Sequence, residues 1–265
     1  YQKAAKTLFK WKREARNKDV DWEPEIEYSD PSTTYTPRDY LTKDDRRKMR
    51  EAAMSYGSVP HYNSVTPEER DRWKTYLSQR LQKPKDEITM KDWEKANSFK
   101  YTSMIHVALD AGLRPIEIKR SNVHWVDTQN GVLRIPRKES SKNRENWIVA
   151  LKEETNQILK RWLDERETRE KYDGRDALWL TMYGNRYNKD SFRDVFRKIA
   201  REANLDLENR DLTPYSIRHS TATYVAEEEG LAVAAAQCRH KSKRTTEKYE
   251  HSSTSRQQDA VNNID

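Results

Sequence analysis

Four side chains near the C-terminus could do chemistry together: Tyr215, Arg218, His240 and Tyr249. Tyr215 and Arg218 are three residues apart, which puts them on one face of a helix. His240 lies beyond that helix, and Tyr249 follows it nine residues later. A guanidinium is always charged and forked, so it matches the oxygens of a phosphate. A phenol can attack or donate a hydrogen bond, and an imidazole can hold or pass a proton. These four could gather around one phosphate.

The elements that must position them are readable alongside. Thr213-Pro214 predicts a helix start, with a threonine cap and proline at the first helical position. Gly230 ends that helix, and the alanine-rich stretch Leu231 to Cys238 predicts a second, short one. Upstream, Thr42 with Asp45 caps a helix running to about Ser55. Thr66-Pro67 starts another, carrying Trp73, Tyr76, Leu77 and Leu81, which Pro84 stops. A single helix is expected from Thr89 to Ala111, with Trp93, Ala96, Phe99, Met104, Val107 and Ala108 facing a core. Strands are expected at Asn122–Val126, Val132–Ile135 and Trp147–Leu151. Helices follow over Lys152–Arg169 and Asp190–Ala203.

The bulk of the chain narrows the partner. Its 265 residues suffice for one large domain and a smaller piece. Apolar residues are 34% and charged ones 36%, yet 8 Trp and 14 Tyr supply core volume, which argues against disorder. A formal net charge of +7 favours a polyanion. One cysteine, Cys238, rules out an internal disulfide framework and suits a reducing compartment. No run approaches the ~18 apolar residues of a membrane helix, and no metal-ligand cluster stands out among the 6 His and the cysteine. The chain opens at Tyr1 without a signal-peptide core, which reads as a fragment starting inside a helix.

Taken in order, these residues resemble the tyrosine recombinase (integrase) family. The family pattern is roughly T-P-H-x-L-R-H, then L-G-H, then T-T-x-x-Y. The matches are Thr213, Pro214, Arg218, His219, His240, Thr245, Thr246 and Tyr249. An earlier arginine in a T-G-L-R-x-x-E segment is supplied by Ala111-Gly112-Leu113-Arg114-Pro115-Ile116-Glu117. The resemblance covers about residues 41–251. It implies a mostly helical α+β catalytic domain with a small three-stranded antiparallel sheet. Residues 1–18, a basic helix with one apolar stripe, fall where the last helix of a core-binding domain would be. Residues 19–40, with Pro24, Pro31 and Pro37, read as a linker, and 252–265 as a tail able to dock on a neighbouring subunit.

The resemblance implies roles residue by residue. Arg114 and Arg218 would clamp the scissile phosphate, and Tyr249 would be the nucleophile of a 3′-phosphotyrosyl link. Such a link conserves bond energy, so neither ATP nor a metal is called for. A lysine from the sheet loop would protonate the leaving 5′-oxygen; Lys138 fits best, with Lys142 the runner-up. His240 would either donate to a phosphate oxygen or accept the Tyr249 proton. Lys142, Arg144, Lys241, Lys243 and Arg244 would contact DNA phosphates. Tyr215 departs from the pattern, where most members have histidine. A phenol titrates near ~10 and is a poor base at neutral pH, so Tyr215 is read as a positioner that donates a hydrogen bond. Such a substitution suggests an integrase from an archaeal mobile element.

The function implied is site-specific recombination of double-stranded DNA by a tetramer on two sites, in the cytoplasm with the nucleoid. No cofactor is implied. Two other readings stay open: a type IB topoisomerase, which shares this active site, and a DNA-binding relic without catalysis.

Overall fold

A computed structural model of the chain describes residues 2–16, 39–57, 59–141, 145–240 and 261–262. The chain divides into two units, Tyr1–Arg38 and Asp39–Asp265. The first contains helix α1, Gln2–Arg16, on which Leu8 and Trp11 are about half exposed. The expected linker over 19–40 falls mostly outside the described residues. Asp39 and Tyr40, which that reading placed in the linker, are fixed to the second unit. Ser216 Oγ donates to the Asp39 carbonyl at 2.8 Å and Arg210 to the Tyr40 carbonyl at 2.7 Å.

The second unit runs α2 (Lys43–Ser55), α3 (Pro67–Leu81), α4 (Met90–Glu94), α5 (Phe99–Ala111) and α6 (Pro115–Arg120). Then come β1 (Val126–Asp127), β2 (Val132–Ile135), β3 (Trp147–Ala150), α7 (Glu153–Glu167), α8 (Lys189–Glu202), α9 (Pro214–Glu229) and α10 (Leu231–Cys238). The α+β, mostly helical class is as expected. Thr42, Thr66 and Thr213 are the N-caps of α2, α3 and α9, with Pro67 and Pro214 at the first helical positions.

Helix α5 is the central post. Eleven of its 13 residues are buried, so it is covered on every side rather than along one stripe. It packs against α2, α7, α9 and β3. The main core holds Met104, Ile105, Trp125, Trp162, Trp179, Phe192, Phe196 and Ile217. A second cluster, with Trp73, Leu77, Ile88 and Trp93, joins α3 to α4.

The continuous helix expected from Thr89 to Ala111 is instead two, α4 and α5. The cause is a carboxylate from another element. Glu165 on α7 accepts from the Phe99 N–H and from Ser98 Oγ, both at 2.6 Å, while Ser98 Oγ caps the Lys100 N–H at 3.1 Å. A buried anion at this point fixes a helix start, because it meets donors the first turn leaves unbonded. The break also sends Trp93 into the smaller cluster and Met104 into the larger one.

The sheet is antiparallel in the order β1-β2-β3, with Leu133 opposite Val149 on its buried face. The strand expected over Asn122–Val126 is mostly a 3-10 turn, Val123–Trp125, followed by the two-residue β1. Trp125 is fully buried and its indole N–H donates to Glu139, which curls the backbone out of the ladder. A short helix not expected from the sequence, α6, follows Arg114 directly.

Candidate phosphate site

The last carbonyls of a helix have no partner inside it and carry the negative end of its dipole. At the C-terminal end of α5 four consecutive carbonyls are met by side chains from three other helices. Leu109 accepts from Arg46 Nη2 at 2.8 Å and Thr221 Oγ1 at 2.7 Å, and Asp110 from Gln237 Nε2 at 2.9 Å. Ala111 accepts from Arg239 Nη1 at 2.6 Å. Gly112 accepts from both Arg218 Nη1 at 2.7 Å and Arg239 Nη2 at 3.1 Å. One helix end therefore draws Arg218 from α9 and Arg239 from the end of α10 to the same turn.

That turn launches Arg114. Gly112 takes φ +54°, the left-handed geometry that ends α5, and a methyl there would lie 3.2 Å from Cys238 Sγ. Arg114 then caps α6, its N–H donating to Glu117 Oε2 at 2.8 Å. Its guanidinium donates to Glu117 Oε1 at 3.2 Å and reaches the Arg239 carbonyl at 3.5 Å. Arg218 is buried and also donates to the Cys238 carbonyl. Arg114 and Arg218 are thus held by adjacent stretches of backbone, 112 and 238–239. Each uses two of its roughly five donors on the described residues.

His240 is buried beside them, its N–H on the Ala235 carbonyl at 2.8 Å. Burial, then the charges of Arg218, Arg114 and Arg239, push its imidazole down to about 3, so it is neutral at physiological pH. Burial lowers the Arg218 guanidinium to about 10, which leaves it charged. For Glu117, burial favours protonation, but Arg239 by charge and hydrogen bond, and then Arg114, hold it down at about 2.

Tyr215, on the first turn of α9, is 42% exposed. Its helix start is closed by a local capping box, Thr213 N–H donating to Ser216 Oγ at 3.1 Å. Lys138 is exposed on the turn Pro136–Ser140 that leaves β2. That turn is anchored twice. Glu139 accepts from Asn122 Nδ2 at 2.8 Å as well as from Trp125, and Arg120 Nη1 donates to the Ser140 carbonyl at 2.7 Å. Arg114 and Arg120 stand at the two ends of α6, so one short helix, roughly 9 Å long, joins Arg114 to the Lys138 turn. Tyr249, Lys142, Arg144, Lys241, Lys243 and Arg244 lie outside the described residues.

Arg239 is not among the site residues expected from the sequence. The signal was present: the pattern that supplied His240 has glycine just before it, and this chain has arginine. Arg239 adopts φ +56°, a left-handed position that glycine fills most easily.

Residues 76–256 match the Phage integrase family, and the chain belongs to that family. Among curated proteins it is similar to tyrosine recombinase XerD of Staphylococcus epidermidis, 28% identical over 167 residues, 62% of this chain and 54% of that protein. It is also similar to tyrosine recombinase XerC of Bifidobacterium longum subsp. infantis, 24% identical over 59% of this chain and 44% of that one. The chain spans about half the length of the curated relatives it matches. In fold it is similar to the crystal structure of XerA recombinase, with a TM-score of 0.61, 18% identity, and coverage of 99% of this chain and 76% of the other. A lambda integrase dimer bound to a core site gives 0.55 and 15%, with 96% and 73% covered.

Proposed function

We propose that this chain is the catalytic portion of a site-specific DNA recombinase that cuts and rejoins strands through a phosphotyrosyl intermediate. The observation that carries this is the fixing of Arg114 to the Arg239 carbonyl and of Arg218 to the neighbouring Cys238 and Gly112 carbonyls, beside a neutral His240. Preorganised positive charge aimed at a phosphate is the largest contribution such chemistry needs, because the transition state concentrates charge on the equatorial oxygens.

In this reading Tyr249 Oη attacks the scissile phosphorus as its proton leaves. That proton passes to His240 once the bound phosphate offsets the arginines that hold its imidazole at about 3, or to solvent while neutral His240 donates to a phosphate oxygen. The 5′-oxygen departs with a proton from Lys138, with Lys142 as the alternative donor. Tyr215 donates a hydrogen bond to the phosphate and does not move a proton. Lys142, Arg144, Lys241, Lys243 and Arg244 grip neighbouring phosphates without reading sequence. The partner is double-stranded DNA, with four subunits on two sites and the tail at 252–265 exchanged between neighbours. Residues 1–18 are read as the end of a DNA-gripping domain.

A nicked suicide duplex made from the chain's own flanking DNA tests this. The expected result is a denaturant-resistant protein–DNA adduct that disappears in Tyr249→Phe. An adduct indifferent to DNA sequence turns the reading to a topoisomerase. Absence of any adduct with the full-length protein contradicts catalysis.

A further inference from the structure

Arg239 has no place in the chemistry above, yet it is the most completely bonded side chain of the site. Its side chain is 1% exposed. Nη2 and Nε meet both oxygens of Glu117, at 2.7 Å and 3.3 Å. Nη1 and Nη2 meet the carbonyls of Ala111, Gly112 and Gln237. With its donors spent and its surface covered, it cannot touch a substrate.

Its bonding partners suggest what it does. Glu117 is buried and also holds Arg114, through both the backbone N–H and the guanidinium. A buried carboxylate facing Arg114 alone would cancel the charge Arg114 needs for a phosphate and draw its guanidinium inward. Arg239 brings a second cation to that carboxylate. The cluster then holds three guanidiniums, Arg114, Arg218 and Arg239, against one carboxylate, and stays positive toward an anion. Arg239 also shares the Gly112 carbonyl with Arg218, and offers its own carbonyl to Arg114.

We propose that Arg239 is a positioning residue whose guanidinium occupies the Glu117 carboxylate, leaving the charge of Arg114 available to the scissile phosphate. This rests on the recombinase reading for its chemical meaning. Its physical content, the affinity of the arginine pair for a phosphate, does not.

The test compares single-turnover cleavage of the suicide duplex by wild type, Arg239→Met, Arg239→Lys and the pair Arg239→Met/Glu117→Gln. All are assayed below the melting midpoint of the least stable. Arg239→Met is expected to slow cleavage ~10–100-fold, the scale of a misplaced catalytic group, while non-covalent duplex affinity changes little. Arg239→Lys, which keeps the charge, should lose less. Removing the stranded carboxylate in the pair should recover at least ~10-fold of the lost rate, the size of one restored charge interaction. Wild-type cleavage by Arg239→Met overturns the proposal. So does a pair as slow as the single variant, since loss of packing alone gives that result. If Arg239→Met does not fold, Arg239→Gln takes its place under the same criteria. If wild type forms no adduct, the recombinase reading fails, and calorimetric titration with inorganic phosphate decides this proposal instead. Weaker binding in Arg239→Met, restored in the pair, supports it, and equal binding overturns it.

Discussion

Arg218 and Tyr215 share a helix face but not a surrounding. Arg218 is buried and fixed by the Gly112 and Cys238 carbonyls, whereas Tyr215 is exposed on the first turn of α9. Arg218→Ala removes a preorganised charge and is expected to slow cleavage ~100–1,000-fold. Tyr215→Phe removes one neutral hydrogen bond and should cost less than ~10-fold. Equal losses in single-turnover assays would contradict the assignment of Tyr215 as a positioner. The exchange of histidine for tyrosine at 215 was visible in the sequence. The bonding of Arg239 was not, because its partners, Glu117 and the carbonyls of 111 and 112, are more than a hundred residues away.

At the scale of elements, the site is the meeting of the α5 terminus with α9 and α10. Gly112 is the hinge of that meeting, with a positive φ and both Cys238 and Thr221 against it. Gly112→Ala forces a methyl into a left-handed position and a tight contact. It is expected to destabilise the domain by about 1–2 kcal/mol in chemical denaturation, and to slow cleavage as well by shifting Arg114. A variant as stable and active as wild type would show that the turn has slack. Local signals had foretold most elements here: caps at Thr42, Thr66 and Thr213, the glycine ends, and strands at 132–135 and 147–150. Two failures share one cause. The break between α4 and α5 comes from Glu165, and the curl at Val123–Trp125 comes with Trp125 bonded to Glu139. Both are tertiary contacts, and at the first the only local signal is Ser98, the N-cap of α5.

For the whole molecule, the net charge of +7 gives electrostatic reach toward a polyanion, while the interior sets its response to acid. His106 is fully buried on α5, its Nδ1 3.1 Å from Arg50 Nη1. Burial, then Arg50, lowers its imidazole to about 4, and burial and three arginines lower His240 to about 3. Below the usual histidine value of about 6.5 the unfolded chain binds protons that the folded chain refuses. Stability should therefore fall as pH drops from 6.5 toward 4, by on the order of 2 kcal/mol for each histidine. Glu117, held at about 2, adds a loss below its ordinary range as pH falls toward that value. Urea unfolding at pH 7, 5.5 and 4.5 measures this, and His106→Gln should flatten the slope. A stability independent of pH across this window would mean that these histidines accept protons in place.

The most direct test of the account is the crystal structure of the Tyr249→Phe chain on an uncleaved duplex carrying its own site. One scissile phosphate is expected there, its non-bridging oxygens within about 3 Å of both the Arg114 and Arg218 guanidiniums. A phosphate met by only one of them, with the other turned to a different anion or to the protein, would contradict it.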